Sequence, residues 1–390
     1  MSDRQRLVFV AQHPIHYHAV LYRRAAQDPS LDSCVYFMQE AWAEGGYEPE
    51  FGQRVDWGVP ITDGFRHRFF RNLSPFRNGD GVLKFFNPGL VWAIFAGPRA
   101  TVYIHGMNYL THIGCMLAAV LSGKRLILRT ITYDVTKPRG LKGFVRNAIY
   151  RLMFKLPSAF LYIGKHNRDF FVNHGVAQRK LVHAPHVVDN AFFAAKDAAL
   201  REQDVKARLG LAADDGVIAF VGKMSERKQC SALFQAFVEA DLGPKWTLVF
   251  VGTGDKWDEL HALAADTAAR VIFTGFLNQI ELCDIYKITD IFALPSLSET
   301  WGLVVNEAQN FGCAVVASDK VGCAPDLVEG RSGLIHPAGD VAALAGALRR
   351  LALDPALLEA MQAGARRTIA QWDVEHYIAG LKRAIAVAQE

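Results

Sequence analysis

The segment from Asp290 to Ala308 constrains this chain more than any other. It opens on an apolar run, Asp290-Ile291-Phe292-Ala293-Leu294-Pro295-Ser296, and continues as Ser298-Glu299-Thr300-Trp301-Gly302-Leu303-Val304-Val305-Asn306-Glu307-Ala308. A short apolar run, a break at Pro and Ser, a Gly and then an amphipathic stretch read as strand, tight turn and helix start. Glu299 falls in the turn, and Glu307 lies about two helical turns further on. The first N–H groups of such a helix, around Trp301, Gly302, Leu303 and Val304, have no intrahelical acceptor and can receive an anion. The segment therefore predicts an anion site flanked by two carboxylates suited to hydroxyl groups.

Further blocks follow in order: Asn310-Phe311-Gly312-Cys313-Ala314-Val315-Val316-Ala317-Ser318-Asp319, then Gly322-Cys323-Ala324-Pro325-Asp326-Leu327-Val328, then Gly333-Leu334-Ile335-His336-Pro337. Two glutamates at this spacing are weak on their own, because many exposed helices carry such pairs. The ordered series is specific, and it resembles glycosyltransferase family 4. The resemblance implies an α/β protein of GT-B fold, two doubly wound Rossmann-like domains facing a cleft. It also implies retaining, metal-independent transfer of a hexosyl group from a nucleotide diphosphate sugar. In that frame Glu299 holds hydroxyls of the donor sugar and Glu307 the ribose, with the diphosphate at the helix N-terminus.

Length and patterning agree. A chain of 390 residues suits two cores better than one. Strand-like runs at Leu7–Ala11, Cys34–Met38, Thr101–His105, Leu126–Thr130 and Ala159–Ile163 alternate with helical patterns, as do Val217–Val221, Thr247–Val251, Val271–Phe273, Ile291–Leu294 and Ala314–Ala317. The polar stretch Ala194–Asp215 separates the two series and reads as a linker plus the first helix of a second domain. We expect an acceptor-binding domain over 1–190 and a donor-binding domain over 191–373, with a helix over 374–390 packing back on the first. No apolar run approaches 18 residues, Leu7–Ala11 is too short for a signal core, and six scattered cysteines suit reduced thiols in the cytoplasm.

The donor half carries further candidates. Phe220-Val221-Gly222-Lys223-Met224-Ser225-Glu226-Arg227-Lys228 ends a strand, where open α/β sheets bind ligands. Relatives usually have Gly-Arg here and Lys-Gly five residues on. This chain has Lys223 in the Arg position, keeps Lys228, and has Gln229 in the Gly position. Two ammonium groups can clamp a diphosphate as point charges, where Arg would add a planar fork. Gly252, in Val251-Gly252-Thr253-Gly254-Asp255, belongs to a glycine-rich strand-to-helix turn, a common feature. Thr274-Gly275-Phe276-Leu277-Asn278 resembles the segment facing the nucleotide base through backbone groups, so Phe276 and Leu277 leave UDP-sugar and GDP-sugar both open as donor. No cofactor beyond the donor is expected, and no Asp-x-Asp triplet indicates a metal clamp.

The other half departs from the family. Its first strand runs into Gln12-His13-Pro14-Ile15-His16-Tyr17-His18, where many relatives have a Gly-Gly turn. Three histidines invite a metal reading, but the spacing fits no zinc pattern and no Cys or carboxylate adjoins them. A loop with His16 or His18 touching acceptor fits better. His105 and Arg129 end strands at the cleft edge and are candidate site residues. For His105 a buried structural role is equally open, whereas a strand-end Arg needs an anionic partner or water.

Charge divides the chain. Residues 1–190 hold 24 Lys and Arg against 13 Asp and Glu, whereas 191–390 hold 19 against 26. Between Gly81 and Arg168 there are 13 basic residues and a single acid, Asp134. With no nucleic-acid module, this points to an anionic surface or substrate. Residues 137–155 place Lys137, Arg139, Lys142, Arg146, Arg151 and Lys155 among Leu141, Phe144, Ile149 and Leu152, a basic amphipathic helix suited to an anionic membrane surface. A packed helix with a solvated basic face is the competing reading. Phe69-Phe70, Phe76 and Phe85-Phe86, interleaved with Arg66, Arg68, Arg71, Arg77 and Lys84, add to the surface reading. The expectation is a lipid or lipid-linked glycan acceptor and a peripheral position on the inner membrane face, with no nucleic-acid partner. Sugar-nucleotide epimerases, glycan phosphorylases and non-catalytic binding proteins of the same fold remain alternatives.

Overall fold

The computed structural model describes residues 4–40, 46–48, 53–55, 61–77, 79, 81–134 and 140–390. They form two compact units, one holding residues 1–46, 59–186 and 374–390, the other 47–58 and 187–373. The chain leaves the first unit after His186, a few residues before the charge break, and re-enters it at Val374. Most of Ala194–Asp215, read as a linker plus a first helix, lies in two helices of the second unit.

The first unit is built on β1 (Gln5–Ala11), β2 (Leu31–Phe37), β5 (His67–Phe69), β6 (Thr101–His105), β7 (Arg125–Arg129), β8 (Ala159–Tyr162) and β9 (Leu181–His183). The intervening β3 (Gly46–Glu48) and β4 (Gln53–Val55) make a separate two-stranded ribbon. The seven strands run parallel in the order β5-β2-β1-β6-β7-β8-β9. A parallel sheet needs cover on both faces, so its central strands are apolar at their middle positions, as at Leu126–Leu128 of β7.

Helices α1 (His16–Gln27) and α14 (Val374–Gln389) cover one face, where Phe9 of β1 meets Tyr22 and Tyr103 at ring-centroid distances of 5.1 and 5.0 Å. α14 packs against β7, β8, β9 and α1. Its Gly380 allows this, since a Cβ there would lie 2.2 Å from the His183 carbonyl. The other face carries α2 (Pro88–Ala96), α3 (Leu110–Leu121), α4 (Gly140–Met153) and α5 (Lys165–Asn173). Leu90, Ile94, Cys115, Met116, Phe170 and Phe171 share one core there with Val10, Val102, Ile104, Leu128 and Phe160. Of the expected helix over 137–155, Lys137 and Arg139 lie outside the described residues.

The second unit begins with α6 (Asn190–Ala199) and α7 (Glu202–Arg208). It then alternates β10 (Gly216–Val221), α8 (Cys230–Ala240), β11 (Trp246–Val251), α9 (Trp257–Ala265), β12 (Arg270–Gly275), α10 (Gln279–Ile288), β13 (Ile291–Leu294), α11 (Leu303–Asn310), β14 (Ala314–Ser318) and β15 (Gly333–His336), and closes with α12 (Val341–Ala352) and α13 (Pro355–Ile369). The six strands are parallel in the order β12-β11-β10-β13-β14-β15. Each unit is thus a doubly wound, Rossmann-like α/β layer structure. No helix among the described residues is long and apolar enough to cross a membrane.

Candidate active site

Open parallel sheets take ligands beyond the carboxyl ends of their strands, where the strand order reverses. In the second unit that point lies between β10 and β13. The connections leaving these strands carry Lys223–Lys228 and Ser296–Gly302, and they meet. Nζ of Lys228 donates to Oε2 of Glu299. Arg227 donates from Nη1 to the Ser298 carbonyl at 2.8 Å and lies 3.6 Å from the same carboxylate oxygen. The Lys228 and Glu299 side chains are only 13% and 14% exposed, so their attraction is screened less than that of a surface pair. Lys223 sits half-buried in the same connection.

The turn holding Glu299 is braced from below. Its amide donates to the Lys320 carbonyl at 3.1 Å, the Gly322 amide to the Glu299 carbonyl at 2.9 Å, and the Cys323 amide to the Trp301 carbonyl at 3.0 Å. The block after Gly322 therefore supports the turn, and Gly322 is needed because a Cβ there would lie 2.1 Å from the Thr300 carbonyl. Gly302 N-caps α11 with φ +95°, a left-handed conformation that favours Gly. The amides of Leu303 and Val304 open this helix without intrahelical acceptors, and both residues are half-buried.

The neighbouring connections lie side by side. The Gly222 amide donates to the Val251 carbonyl at 3.0 Å, the Met224 amide to Thr253 at 2.9 Å, and the Gly252 amide to Gly275 at 2.8 Å. Phe276 and Leu277 follow directly and are half-buried. Gly222, Gly252, Phe276 and Leu277 thus occupy one row along the carboxyl edge of β10, β11 and β12.

Two of the expected site residues have enclosed side chains. Glu307 is 1% exposed and accepts from the Tyr286 hydroxyl at 2.7 Å, because its position on α11 turns it toward α10. Trp301 is enclosed, donating from Nε1 to Asn306 at 2.9 Å and stacking on Trp372 with centroids 6.0 Å apart. Its ring serves packing, which leaves only its backbone to a ligand. Arg227 and Tyr286 had no role in the reading of the sequence. A second cation beside Lys228 was a visible signal for the first, and nothing marked the second.

The first unit reverses strand order between β1 and β6. His18, in α1 just after β1, and His105, at the end of β6, pack with ring centroids 4.1 Å apart. His186 lies 6.3 Å from His18. Burial is the main cause that lowers His18 to about 3 and holds His105 and His186 well below the usual histidine range, with the Arg129 cation adding to it. The rings are therefore neutral near pH 7.

Arg129, expected to reach an anion or water at its strand end, is instead fully enclosed. Its Nη2 donates to the Pro185 carbonyl at 3.3 Å and faces Nδ1 of His186 at 3.4 Å, while its guanidinium lies 4.9 Å from the Tyr377 ring centroid. An arginine only donates, so Nδ1 of His186 accepts and its proton sits on Nε2. Arg129 thus supports residues that could meet a ligand without itself being exposed to one. Among the described residues no three His, Cys, Asp or Glu come together as metal ligands.

Comparison with known proteins agrees with this architecture. Residues 201–368 match the family described as Glycosyl transferases group 1. The chain is 28% identical over 301 residues to 2-deoxystreptamine glucosyltransferase of Streptomyces kanamyceticus, covering 76% of this chain and 74% of that protein. It is 36% identical over 193 residues to D-inositol 3-phosphate glycosyltransferase of Acidothermus cellulolyticus, covering 46% and 42%. The second match thus spans less than half of that relative's length. Among solved structures, Anabaena Alr3699/HepE in complex with UDP shares the fold at a TM-score of 0.74 and 15% identity, over 98% of this chain and 100% of that one. Sucrose-phosphate synthase of Thermosynechococcus elongatus does so at 0.68 and 17%, over 99% and 100%. Residues 201–368 are thus similar to group 1 glycosyl transferases, and the chain shares its fold with these solved structures over nearly its whole length.

Proposed function

We propose that this protein is a glycosyltransferase that moves a hexosyl group, with retention, from a UDP- or GDP-sugar to a lipid or lipid-linked glycan acceptor at an anionic membrane surface. The observation that carries the donor assignment is the Lys228–Glu299 pair straddling the β10/β13 reversal beside the open end of α11. Diphosphate oxygens arriving there would draw on Lys228, on Lys223 and on the Leu303 and Val304 amides. Glu299, released in part from Lys228, would accept hydroxyls of the donor sugar. Glu307 would serve the ribose once its bond from Tyr286 is shared or displaced. UDP is the nucleotide held by the Anabaena structural neighbour, which favours testing UDP-sugars first.

The chemistry needs no group beyond donor and acceptor. The bond from the anomeric carbon to the diphosphate oxygen breaks, and positive charge grows on the sugar. The acceptor oxygen attacks from the face that the diphosphate leaves, and its proton passes to the departing phosphate oxygen. The cations and helix end stabilise the charge on the leaving group. The acceptor class is supported by the positive balance of residues 1–190 and by the sparse acids between Gly81 and Arg168.

The test is donor hydrolysis and transfer by purified protein with UDP- and GDP-sugars, alongside Lys228→Ala. Loss of turnover with an unchanged melting temperature supports the reading. Turnover that survives Lys228→Ala, or a glycosyl-enzyme adduct trapped and seen by mass spectrometry, counts against the donor site or the mechanism respectively.

A further inference from the structure

The helical layer formed by α2, α3, α4 and α5 is closed on its sheet side and open on the other. Its inward residues share one core with the sheet, yet its outward ones are large and apolar. Trp92 is 65% exposed, Leu121 76%, Phe144 74% and Leu152 66%. The second unit exposes fewer such residues among those described, Val238, Leu263, Ile280, Leu297 and Leu353, spread over several elements. Scattered residues of that kind need no explanation, whereas a shared face does.

The connection from Arg71 to Phe86 repeats this inversion. A surface loop ordinarily turns its polar side chains to water. Here Asn72 donates to the Lys84 carbonyl at 2.9 Å and accepts from the Phe86 amide at 3.0 Å, and the Ser74 hydroxyl donates to the Leu83 carbonyl. With these polar groups bonded inside the loop, Leu73, Phe76, Val82, Leu83 and Phe86 stand outward. Phe70 and Phe85, from the same aromatic series, are core residues, so exposure is confined to particular positions.

Charge selects the occupant. Arg71 and Arg77 in the loop and Arg151 on α4 are exposed, as are Arg99, Arg125 and Lys155 just beyond the ends of α2, α3 and α4. From Arg71 to Tyr133, across the loop, α2 and α3, the sequence carries a single acid, Asp80. A protein partner would need an apolar surface ringed by acids. A bilayer with anionic headgroups supplies apolar depth and negative charge together, and Trp and Phe beside Arg and Lys suit the headgroup level.

We propose that this outward face, α2, α3 and α4 with the Arg71–Phe86 loop, docks on an anionic lipid bilayer, with its apolar side chains inserted at headgroup depth. This deepens the lipid-acceptor reading and rests on it for its purpose, while exposure and charge fix the location. Attachment then has two components. Salt screens the contribution of the basic residues but leaves the inserted side chains in place.

The experiment is flotation with vesicles of phosphatidylcholine containing roughly a third phosphatidylglycerol, at low salt and at about 0.5 M salt. Wild-type protein should float in both, and Trp92→Ser with Leu121→Ser should cut the fraction bound at high salt about tenfold. Phe144→Ser is the independent variant on a third helix and should act in the same direction. Because these positions are exposed and outside the donor site, melting temperature and donor hydrolysis should hold. Wild-type protein that stays with the unbound fraction, or variants that bind as well as wild type, would overturn the proposal. So would sedimentation showing a dimer that the same substitutions dissociate, since the face would then belong to a second copy. Vesicle binding without donor turnover would sink the functional reading and leave the docking face standing.

Discussion

The two units put different chemistry at the same topological place. In the second, the connections leaving the paired strands β10 and β13 meet through Lys228 and Glu299. In the first, past the ends of the paired strands β1 and β6, His18 and His105 meet instead. Parallel-sheet geometry creates an opening at each reversal, and the side chains decide what it can receive. Opposite charges with free helix amides suit an anionic group carrying hydroxyls. Neutral imidazoles, kept so by burial and by the Arg129 cation behind them, suit uncharged hydroxyls. That division fits a donor rich in phosphate and an acceptor that offers an oxygen.

The largest effect should come from breaking the charged pair. Glu299→Ala should lower kcat/KM by about a hundredfold or more, the scale seen when one preorganised electrostatic group is lost. His105→Ala should cost less, because no charge is lost with it. Steady-state kinetics on both variants test the comparison. Equal losses would mean that the two openings do not divide the work as their chemistry suggests.

Acid should separate the units next. Burial lowers His16 and His18 to about 3, and His105 and His186 stay well below the usual value. In the unfolded chain these residues titrate near 6.5. Above that pH both states are neutral and the histidines contribute no pH dependence. Below it the unfolded chain binds protons that the folded unit refuses, so stability falls by about 1.4 kcal/mol per pH unit for each such histidine. The second unit contains only His261 and His336. Calorimetry between pH 8 and pH 5 should show the first unit losing stability faster. Coincident loss in both would remove the histidine account.

Arg129 sharpens the same contrast. Replacing a buried cation by an apolar side chain of similar length is often close to neutral in stability. Arg129→Met should therefore fold, and the loss of its positive charge should raise the pKa of His18, His105 and His186. The acid-sensitive window of the first unit should narrow accordingly. Histidine proton chemical shifts followed against pH would report the change, and unmoved titrations would show that burial alone sets them.

The two units also differed in how far the sequence revealed them. Their central strands were legible because runs such as Leu126–Leu128 and Val217–Val221 are apolar at every position, as a doubly covered parallel strand requires. The edge strands β5, β9 and β15 were not, being three or four residues long and only partly buried. Glu299 and Lys228 were visible as a pattern, but their bond joins positions 71 apart and depends on strand order. The enclosure of Arg129 was hidden for a similar reason. Its cover comes from Pro185 and from Tyr377 on α14, which local spacing around a strand end cannot reveal.

The smallest effect concerns a backbone departure that only the second unit contains. Among the described residues the non-glycine residues with positive φ are Gln229 and Asp241, both in that unit. Gln229 has φ 59° and links the Glu226–Lys228 turn to α8. A left-handed conformation costs a non-glycine residue about 1–2 kcal/mol. The Gln229 side chain recovers part of this by donating to the Glu226 carbonyl at 2.9 Å and to its carboxylate at 3.1 Å, though both bonds are exposed. Glycine would also lose more freedom on folding, by about 0.5–1 kcal/mol. Gln229→Gly should therefore stabilise the second unit by no more than about 0.5 kcal/mol and leave the first unchanged. Urea unfolding would resolve the sign. Destabilisation would show that the bonds from Gln229 to Glu226, next to Lys228, outweigh the backbone strain and help to fix the loop that carries the donor-site cation.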